Sequence, residues 1–410
     1  METRLTEAMR SSPEGDTADR ILRACVHCGF CLATCPTYQV LGDELDSPRG
    51  RIYQIKQVLE GTEPTRTHQI HLDRCLTCRS CETTCPSGVE YGHLVDIGRA
   101  AVDTQVARPP RERAVRWLLR EGLTRGWLFG TALYVARAFA RIAPSAALRA
   151  KVGRRRPAGR LPTTQHARKV LLLRGCTQPS MLPSIDGATV RVFDAIGIQT
   201  VVASGAGCCG AIRHHLSDPE GALVQARRNI DAWWPHLESV EAIVINASGC
   251  GAMVRDYGHL LRNDAAYADK AQRISDLSRD PVEVIAPSIE TLRHQMRASE
   301  RVVFQAPCTL QHGLKIRGEV ERLLATLGAE LAPVSEAHLC CGSAGTYSLL
   351  QGPISRELRS RKLSSLQERS PQVILSANIG CIAHLQGGTA TPVRHWIEWV
   401  DAALRAATPA

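Results

Sequence analysis

The stretches CVHCGFCLATCP, residues 25–36, and CLTCRSCETTCP, residues 75–86, decide how this chain is read. Both spell Cys-x2-Cys-x2-Cys-x3-Cys-Pro, so eight thiols fall into two runs of one spacing, and eight more lie between Cys176 and Cys381. Sixteen cysteines are about 4% of the 410 residues, short of the ~8 to 10% that marks a secreted disulfide scaffold. The opening METRLTEAMRSSPEGDTADR scatters charge where a signal peptide would need an apolar run, so the thiols are expected to be reduced. Clustered, reduced thiols point to metal or redox chemistry.

In this spacing three thiolates of a run hold one 4Fe-4S cluster while the fourth ligates the other, as in bacterial ferredoxins. The expected sets are Cys25, Cys28, Cys31 and Cys85 for the first cluster, and Cys75, Cys78, Cys81 and Cys35 for the second. Pro36 and Pro86 end the runs, and Gly29, Ala33, Thr34, Ser80, Thr83 and Thr84 are small enough to let backbone amides approach the sulfides. A pair of structural zinc sites is the alternative, though the triple spacing closed by proline is unusual for zinc. The connection from Cys35 to Cys75 contains RIYQIKQVLEG, whose period is helical, so a helical ferredoxin-like domain is expected.

The last eight cysteines are two sets of four. Cys176, Cys208 and Cys209 shifted by 132 residues land on Cys308, Cys340 and Cys341, and Cys250 misses Cys381 by one. KVLLLRGC pairs with RVVFQAPC, GCCG with LCCG, and IVINASGC with VILSANIGC, which marks an internal duplication. Each half alternates apolar strand runs with helical patterns and places its cysteines just after strands, where ligands gather in open α/β sheets. Four thiols per half suffice for one iron-sulfur cluster or one zinc, and buried structural thiols are the bland reading.

The net charge of +10 is uneven, because residues 101–170 hold 16 Lys and Arg against 3 Asp and Glu. Within them RERAVRWLLREGLTRGWLFGTALYVARAFARIAP carries seven arginines and two tryptophans, and GlyArgArgArgPro follows at 153–157. The uncharged run from Gly126 to Ala136 is 11 residues, against the ~20 that span a bilayer. Such a segment either lies in a membrane interface, with Arg113, Arg116 and Arg120 on anionic headgroups, or packs on a partner. No nucleic-acid module is present in the sequence, so nucleic acid is not an expected partner.

Gly205 to Gly210 spells G-x-G-x-x-G, with Asp231 further on, but its last variable positions are Cys208 and Cys209, and the matching stretch Ala337 to Gly342 lacks the first two glycines. The glycines therefore read as turn residues. His27, His312, His338 and His384 each lie within four residues of a cysteine and could be ligands, proton carriers or solvated side chains. A flavin fingerprint, a P-loop and a nucleophile elbow are all missing.

The segments CVHCGFCLATCPTYQVLGDELDSPRGRIYQIKQVLEG, HLDRCLTCRSCETTCPSGVEYGHLVDIGRA, ASGCGAMVRDYG, APCTLQHG, HLCCGSAGTYS and ANIGC together resemble the glycolate oxidase iron-sulfur subunit family over most of residues 20–400. A two-cluster domain joined to two cysteine-rich "CCG" domains is also shared with iron-sulfur subunits of anaerobic glycerol-3-phosphate dehydrogenase and with heterodisulfide reductase-like proteins. The resemblance implies two 4Fe-4S clusters, flavoprotein partner subunits that oxidise glycolate or D-lactate, a membrane quinone as acceptor, no flavin on this chain, and a cytoplasmic place on the inner face of the membrane. This sequence departs from the fullest CCG pattern, which closes with Cys-x-x-Cys, because Ala247 and Asn378 stand three residues before Cys250 and Cys381. A five-cysteine cluster and a thiol-disulfide reductase site are thereby disfavoured, while a four-cysteine cluster, a zinc site and a zinc-stabilised assembly scaffold remain.

The expected architecture is α+β and multidomain: a flexible N-terminus over 1–16, a helical ferredoxin-like domain over 17–105, a basic helical linker over 106–165, and two duplicated α/β CCG units over 166–290 and 291–410.

Overall fold

The computed structural model describes residues 1–142, 155–296 and 300–407. Gly153 and Arg154 of the expected linker run lie outside the described residues.

Helices Gly15–Ala24, Pro36–Leu41, Pro48–Leu59, Arg66–Asp73, Ser80–Thr84 and Tyr91–Gln105 build the N-terminal part. Ser47 starts the longest connecting helix in the expected way: its hydroxyl accepts from the Gly50 amide, and Pro48, which has no amide to satisfy, occupies the first turn. Ile52 and Ile55 from that helix meet Ile21, Leu22, Leu72, Leu94 and Val102 in one core, which also receives Cys25, Cys75 and Cys81. Gly98 permits the close crossing, since a Cβ there would stand 2.5 Å from Ile55 Cγ1. Residues 1–16, expected as a flexible arm, are seated on this core: Leu5 is buried and the terminal ammonium donates to the Cys25 carbonyl at 2.8 Å.

The C-terminal block contains two four-stranded parallel sheets. In the first, β1 (Arg168–Leu172), β2 (Ile198–Val201), β3 (Ala242–Val244) and β4 (Ser278–Arg279) lie in the order β2-β1-β3-β4. In the second, β5 (Arg301–Gln305), β6 (Glu330–Ala332), β7 (Val373–Ser376) and β8 (Val393–His395) lie in the order β6-β5-β7-β8. The matching order is the duplication in three dimensions. Parallel strands need covering on both faces, and the central ones accordingly bury every residue of Ala242–Val244 and Val373–Ser376.

The two halves share a core rather than standing apart. Val192 and Phe193 of helix Pro183–Ala195 belong to the same buried cluster as Ile397 and Val400 of the final helix, Trp396–Ala407. Arg191 clamps Asp401 through both carboxylate oxygens, at 2.7 and 2.8 Å. Buried His395 places Nε2 2.9 Å from the Asn246 carbonyl.

Helices Pro110–Thr124 and Gly126–Ile142 form the expected helical linker as a pair joined at Arg125. Its inner side is tied down by charge: Arg116 reaches Asp73 at 2.8 Å, Arg120 approaches Asp218 at 3.5 Å, and Arg213 grips both oxygens of Glu121. Of the two expected places for Arg116 and Arg120, headgroups or protein packing, they take the second, because half-buried Asp73 and the Glu121 cluster are nearer partners than solvent. Among the described residues, no helix is long and apolar enough to cross a membrane.

Candidate metal centres

The two ferredoxin-type runs fold alike for a backbone reason. His27 and Gly29 in the first run, and Thr77 and Arg79 at the matching places in the second, all have positive φ, at 56°, 85°, 53° and 58°. Left-handed residues between the cysteines turn each run back on itself so that its thiols converge and its amides point inward, as the 3.4 Å approach of the Thr77 amide to Cys75 Sγ illustrates. Such geometry costs a non-glycine residue about 1 kcal/mol or more, a strain typical of ligand-binding turns. Arg79 is held in it by Asp256 at 2.6 Å, across 177 residues.

Cys35, Cys75, Cys78 and Cys81 line one small enclosed cavity together with Thr37, Arg51 and Tyr91. Cys85, by contrast, acts electrostatically on Cys25, as does Cys28. The fourth thiol of each run therefore lies with the other run's set. Thiols gathered with no disulfide among them, around a void at the second set, fit a cubane cluster in each set.

Sequence reasoning missed the polar shell of the second set, which carries no spacing signal. Arg51 is 1% exposed and donates to the His71 carbonyl, the Thr37 hydroxyl and Asp46 at 2.8, 3.1 and 3.1 Å. Thr37 Oγ1 in turn lies 3.3 Å from Cys35 Sγ, and the Tyr91 hydroxyl approaches Cys75 Sγ at 3.6 Å. Burial alone would discharge Arg51, but Cys75, Tyr91, Cys35 and Asp46 outweigh it and hold the guanidinium above its ordinary pKa. A fixed cation beside a thiolate-bound cluster favours the more negative, reduced form. The first set has a different environment: Cys28 is the one exposed cysteine of the sixteen, between exposed Val26 and Phe30.

In the second CCG unit Cys308 meets Cys340 at 3.7 Å and Cys341 meets Cys381 at 3.2 Å, all four buried. Contact with neighbouring thiols and burial push Cys308 well up. In the first unit Cys176, Cys208, Cys209 and Cys250 form the same chain of contacts, and hydrogen bonds from Cys176 and Cys209 bring Cys208 down to about 4. The expected convergence of four thiols per half is thus present in both. Gly210 and Gly342, each just after a double cysteine, have φ of 97° and 85°, and a Cβ at Gly342 would stand 2.6 Å from the Ser355 carbonyl. The glycines of the dinucleotide-like string serve this turn.

The two units differ in their surroundings. Cys308 and Cys340 share an apolar cluster with Leu76, Tyr347 and Cys78, so the second unit abuts the second ferredoxin set. Lys362, 2% exposed and absent from the sequence-based candidates, donates to the Glu336 and Ala337 carbonyls; burial lowers its pKa while Cys341, Cys340 and Cys381 raise it. Asn378, which occupies the place of the missing fifth cysteine, aims Nδ2 at Cys381 Sγ from 3.8 Å. The first unit instead opens onto a cavity of about 590 Å³ that Cys176 and Cys208 line with Arg125, Trp127, Arg213 and Arg228.

Of the four histidines singled out, His312 bridges Thr83 and the His338 carbonyl at 2.8 and 3.2 Å, and His384 lies 3.2 Å from Ser355 Oγ. His27 supplies a left-handed turn residue, and His338 contributes its carbonyl, the hydrogen-bond partner of His312.

Residues 21–89 match the 4Fe-4S dicluster domain family, and residues 170–255 and 302–386 each match the cysteine-rich CCG domain family. The chain is 51% identical to the glycolate oxidase iron-sulfur subunit of Escherichia coli (strain K12), covering 98% of this chain and 99% of that one. It is 29% identical to the probable glycolate oxidase iron-sulfur subunit of Bacillus subtilis (strain 168), over 89% and 88% of the two chains. Lactate utilization protein A of Bacillus licheniformis is 26% identical over 53% of this chain and 91% of its own length.

Proposed function

The chain belongs to the glycolate oxidase iron-sulfur subunit family, and from that premise we propose that it carries electrons from a flavoprotein that oxidises glycolate, and D-lactate as a second substrate, toward a membrane quinone. It is the iron-sulfur component of an oxidoreductase and has no catalytic site of its own in this reading. The flavin and the 2-hydroxy acid sit on the partner, and the chain works at the periphery of the membrane. Bound 4Fe-4S clusters supply reversible one-electron storage. Cys25, Cys28, Cys31 and Cys85 would hold one, Cys75, Cys78, Cys81 and Cys35 the second, and Cys176, Cys208, Cys209 and Cys250 with Cys308, Cys340, Cys341 and Cys381 further clusters.

The observation that carries the reading is the order of the thiol sets in space. One ferredoxin set reaches the surface at Cys28, amid exposed Val26, Phe30 and Tyr53, which suits the docking of a flavoprotein. The other is buried against the second CCG unit through Cys78 and Cys308. The order therefore leads inward from the exposed edge at Cys28.

The test is reconstitution. The purified subunit alone should not reduce a dye with glycolate, and addition of the flavoprotein should bring both dye reduction and the EPR signals of reduced clusters. Glycolate oxidation by the lone chain would overturn the division of labour.

A further inference from the structure

The helical pair after the ferredoxin-like part has its amphipathicity inverted. The exposed positions of helix Gly126–Ile142 include Trp127, Thr131, Tyr134, Val135, Ala138 and Phe139, spaced at three, four and seven residues along one stripe that carries no charge from Trp127 to Phe139. Trp127, Tyr134 and Phe139 are 72%, 75% and 69% exposed, and the one hydroxyl among the smaller side chains, that of Thr131, turns back to the Trp127 carbonyl. Trp117 and Leu118 of the preceding helix are exposed as well. The charged residues lie inward: Arg137 donates to the Ser180 and Met181 carbonyls, and Glu112 and Glu121 are both engaged by arginines. Exposed Arg111 and Arg113 stand at one end of the pair, and half-exposed Arg125 at the turn.

We infer that this outer face is a membrane-binding surface that rests on an anionic bilayer, with its rings at the acyl boundary and Arg111, Arg113 and Arg125 at headgroup level. Two arguments choose lipid over a protein partner. A protein interface carries about one hydrogen bond per 100–200 Å², and this stripe offers little beyond the Tyr134 hydroxyl and the Trp127 indole N–H. Widely spaced Trp, Tyr and Phe on an uncharged face with arginines at its margins is instead the pattern of an interfacial helix. Each carboxylate of the pair, Glu112 and Glu121, is already neutralised, so what remains exposed is attracted to negative headgroups.

The inference rests on the relay reading in one respect. The cavity of about 590 Å³ that reaches Cys176 and Cys208 is bounded by Thr124, Gly126 and Trp127, at the corner of the same pair. A bilayer beneath the stripe would present an apolar acceptor at the mouth of that cavity.

The experiment is flotation of the full-length, cluster-loaded subunit with vesicles of phosphatidylcholine, with and without phosphatidylglycerol. The wild-type chain should float with the anionic vesicles and less so as salt rises. The triple variant Trp127→Ser, Tyr134→Ser, Phe139→Ser removes only exposed rings, so it should keep its iron content and lose about tenfold or more of the bound fraction. A wild-type chain that stays at the bottom with both vesicles overturns the inference, as does a triple variant that floats equally well. A triple variant that loses its flavoprotein, from a wild-type chain that does not float, assigns the face to that partner instead. Flavoprotein-dependent dye reduction, read on the same preparations, reports on the relay separately: its absence from a chain that floats would remove the relay and leave the membrane surface standing.

Discussion

Thr83 Oγ1 lies 2.8 Å from His312 Nδ1, and Nε2 of the same ring faces the His338 carbonyl at 3.2 Å. Burial pushes His312 down to about 4, so the ring is neutral at pH 7; it donates from Nε2 to the carbonyl and accepts the threonine proton at Nδ1. This one contact joins the second cysteine run to the helical turn after Cys308. Thr83→Val should therefore destabilise the junction by about 1 kcal/mol, the worth of one buried hydrogen bond, while Thr83→Ser should retain it. Thermal unfolding of the cluster-loaded chain, with hydrogen exchange at residues 309–313, reads both.

Cys35 shares its cavity with Cys75, Cys78 and Cys81. Cys35→Ser should damage the cluster of that set and spare the signal of the Cys25 set. EPR of the reduced variant checks it, and a loss confined to the Cys25 set would refute the crossed ligation.

Much of this was legible before any coordinates, for identifiable reasons. Cluster ligation needs thiols at fixed short spacings, so both runs, and the gathering of Cys35 with Cys75, Cys78 and Cys81, could be read from Cys25 to Cys85. The duplication likewise showed in the 132-residue offset of Cys176, Cys208 and Cys209, and a strand precedes each of those positions. What stayed hidden depends on contacts between distant residues. Arg51 looks like any helix arginine until Asp46 and the His71 carbonyl enclose it, and Lys362 occupies a position where the first half has Ile230. The arginines of residues 111–125 suggested a basic outer face, whereas Asp73 draws Arg116 inward, and Glu121 and Asp218 draw Arg120.

His214 Nε2 lies 3.0 Å from Asp96 Oδ2, where helix Ala211–His215 meets helix Tyr91–Gln105. Burial lowers the histidine, but Asp96 outweighs it and raises its pKa above 6.5; burial raises Asp96, but His214, His215 and Arg99 hold it well below the usual carboxylate range. A raised histidine contributes its stability in full below its unfolded pKa of 6.5 and loses it as pH climbs through the folded value. Melting temperature should thus fall on going alkaline from pH 6.5, by more in the wild-type chain than in Asp96→Asn, in which the histidine has lost its partner. Equal slopes in the two proteins would exclude this pair as the cause.

Exposed Val26 and Phe30 flank Cys28. Val26→Glu with Phe30→Glu should weaken flavoprotein binding by about tenfold or more, because two charges would enter an apolar contact. Cluster spectra should stay as they are. Titration calorimetry against the isolated flavoprotein measures the change.

For the CCG units, Cys340→Ser in the full-length chain should lower iron and sulfide content while both ferredoxin-type signals persist. Unchanged iron with lost zinc would turn the second unit into a fastening for the complex, outside the electron path.

The salt bridge from Arg191 to Asp401 spans 210 residues, and it has a consequence for how the protein is made. Helix Pro183–Ala195 leaves the ribosome long before the segment that covers it, and Trp396–Ala407 lies at the very end of the described chain. Until residues 396–407 have been made, helix Pro183–Ala195 lacks the helix that packs on it, so the first half emerges with part of its apolar core uncovered. Alleles that stop before Trp396 should therefore yield insoluble product rather than a partly working subunit.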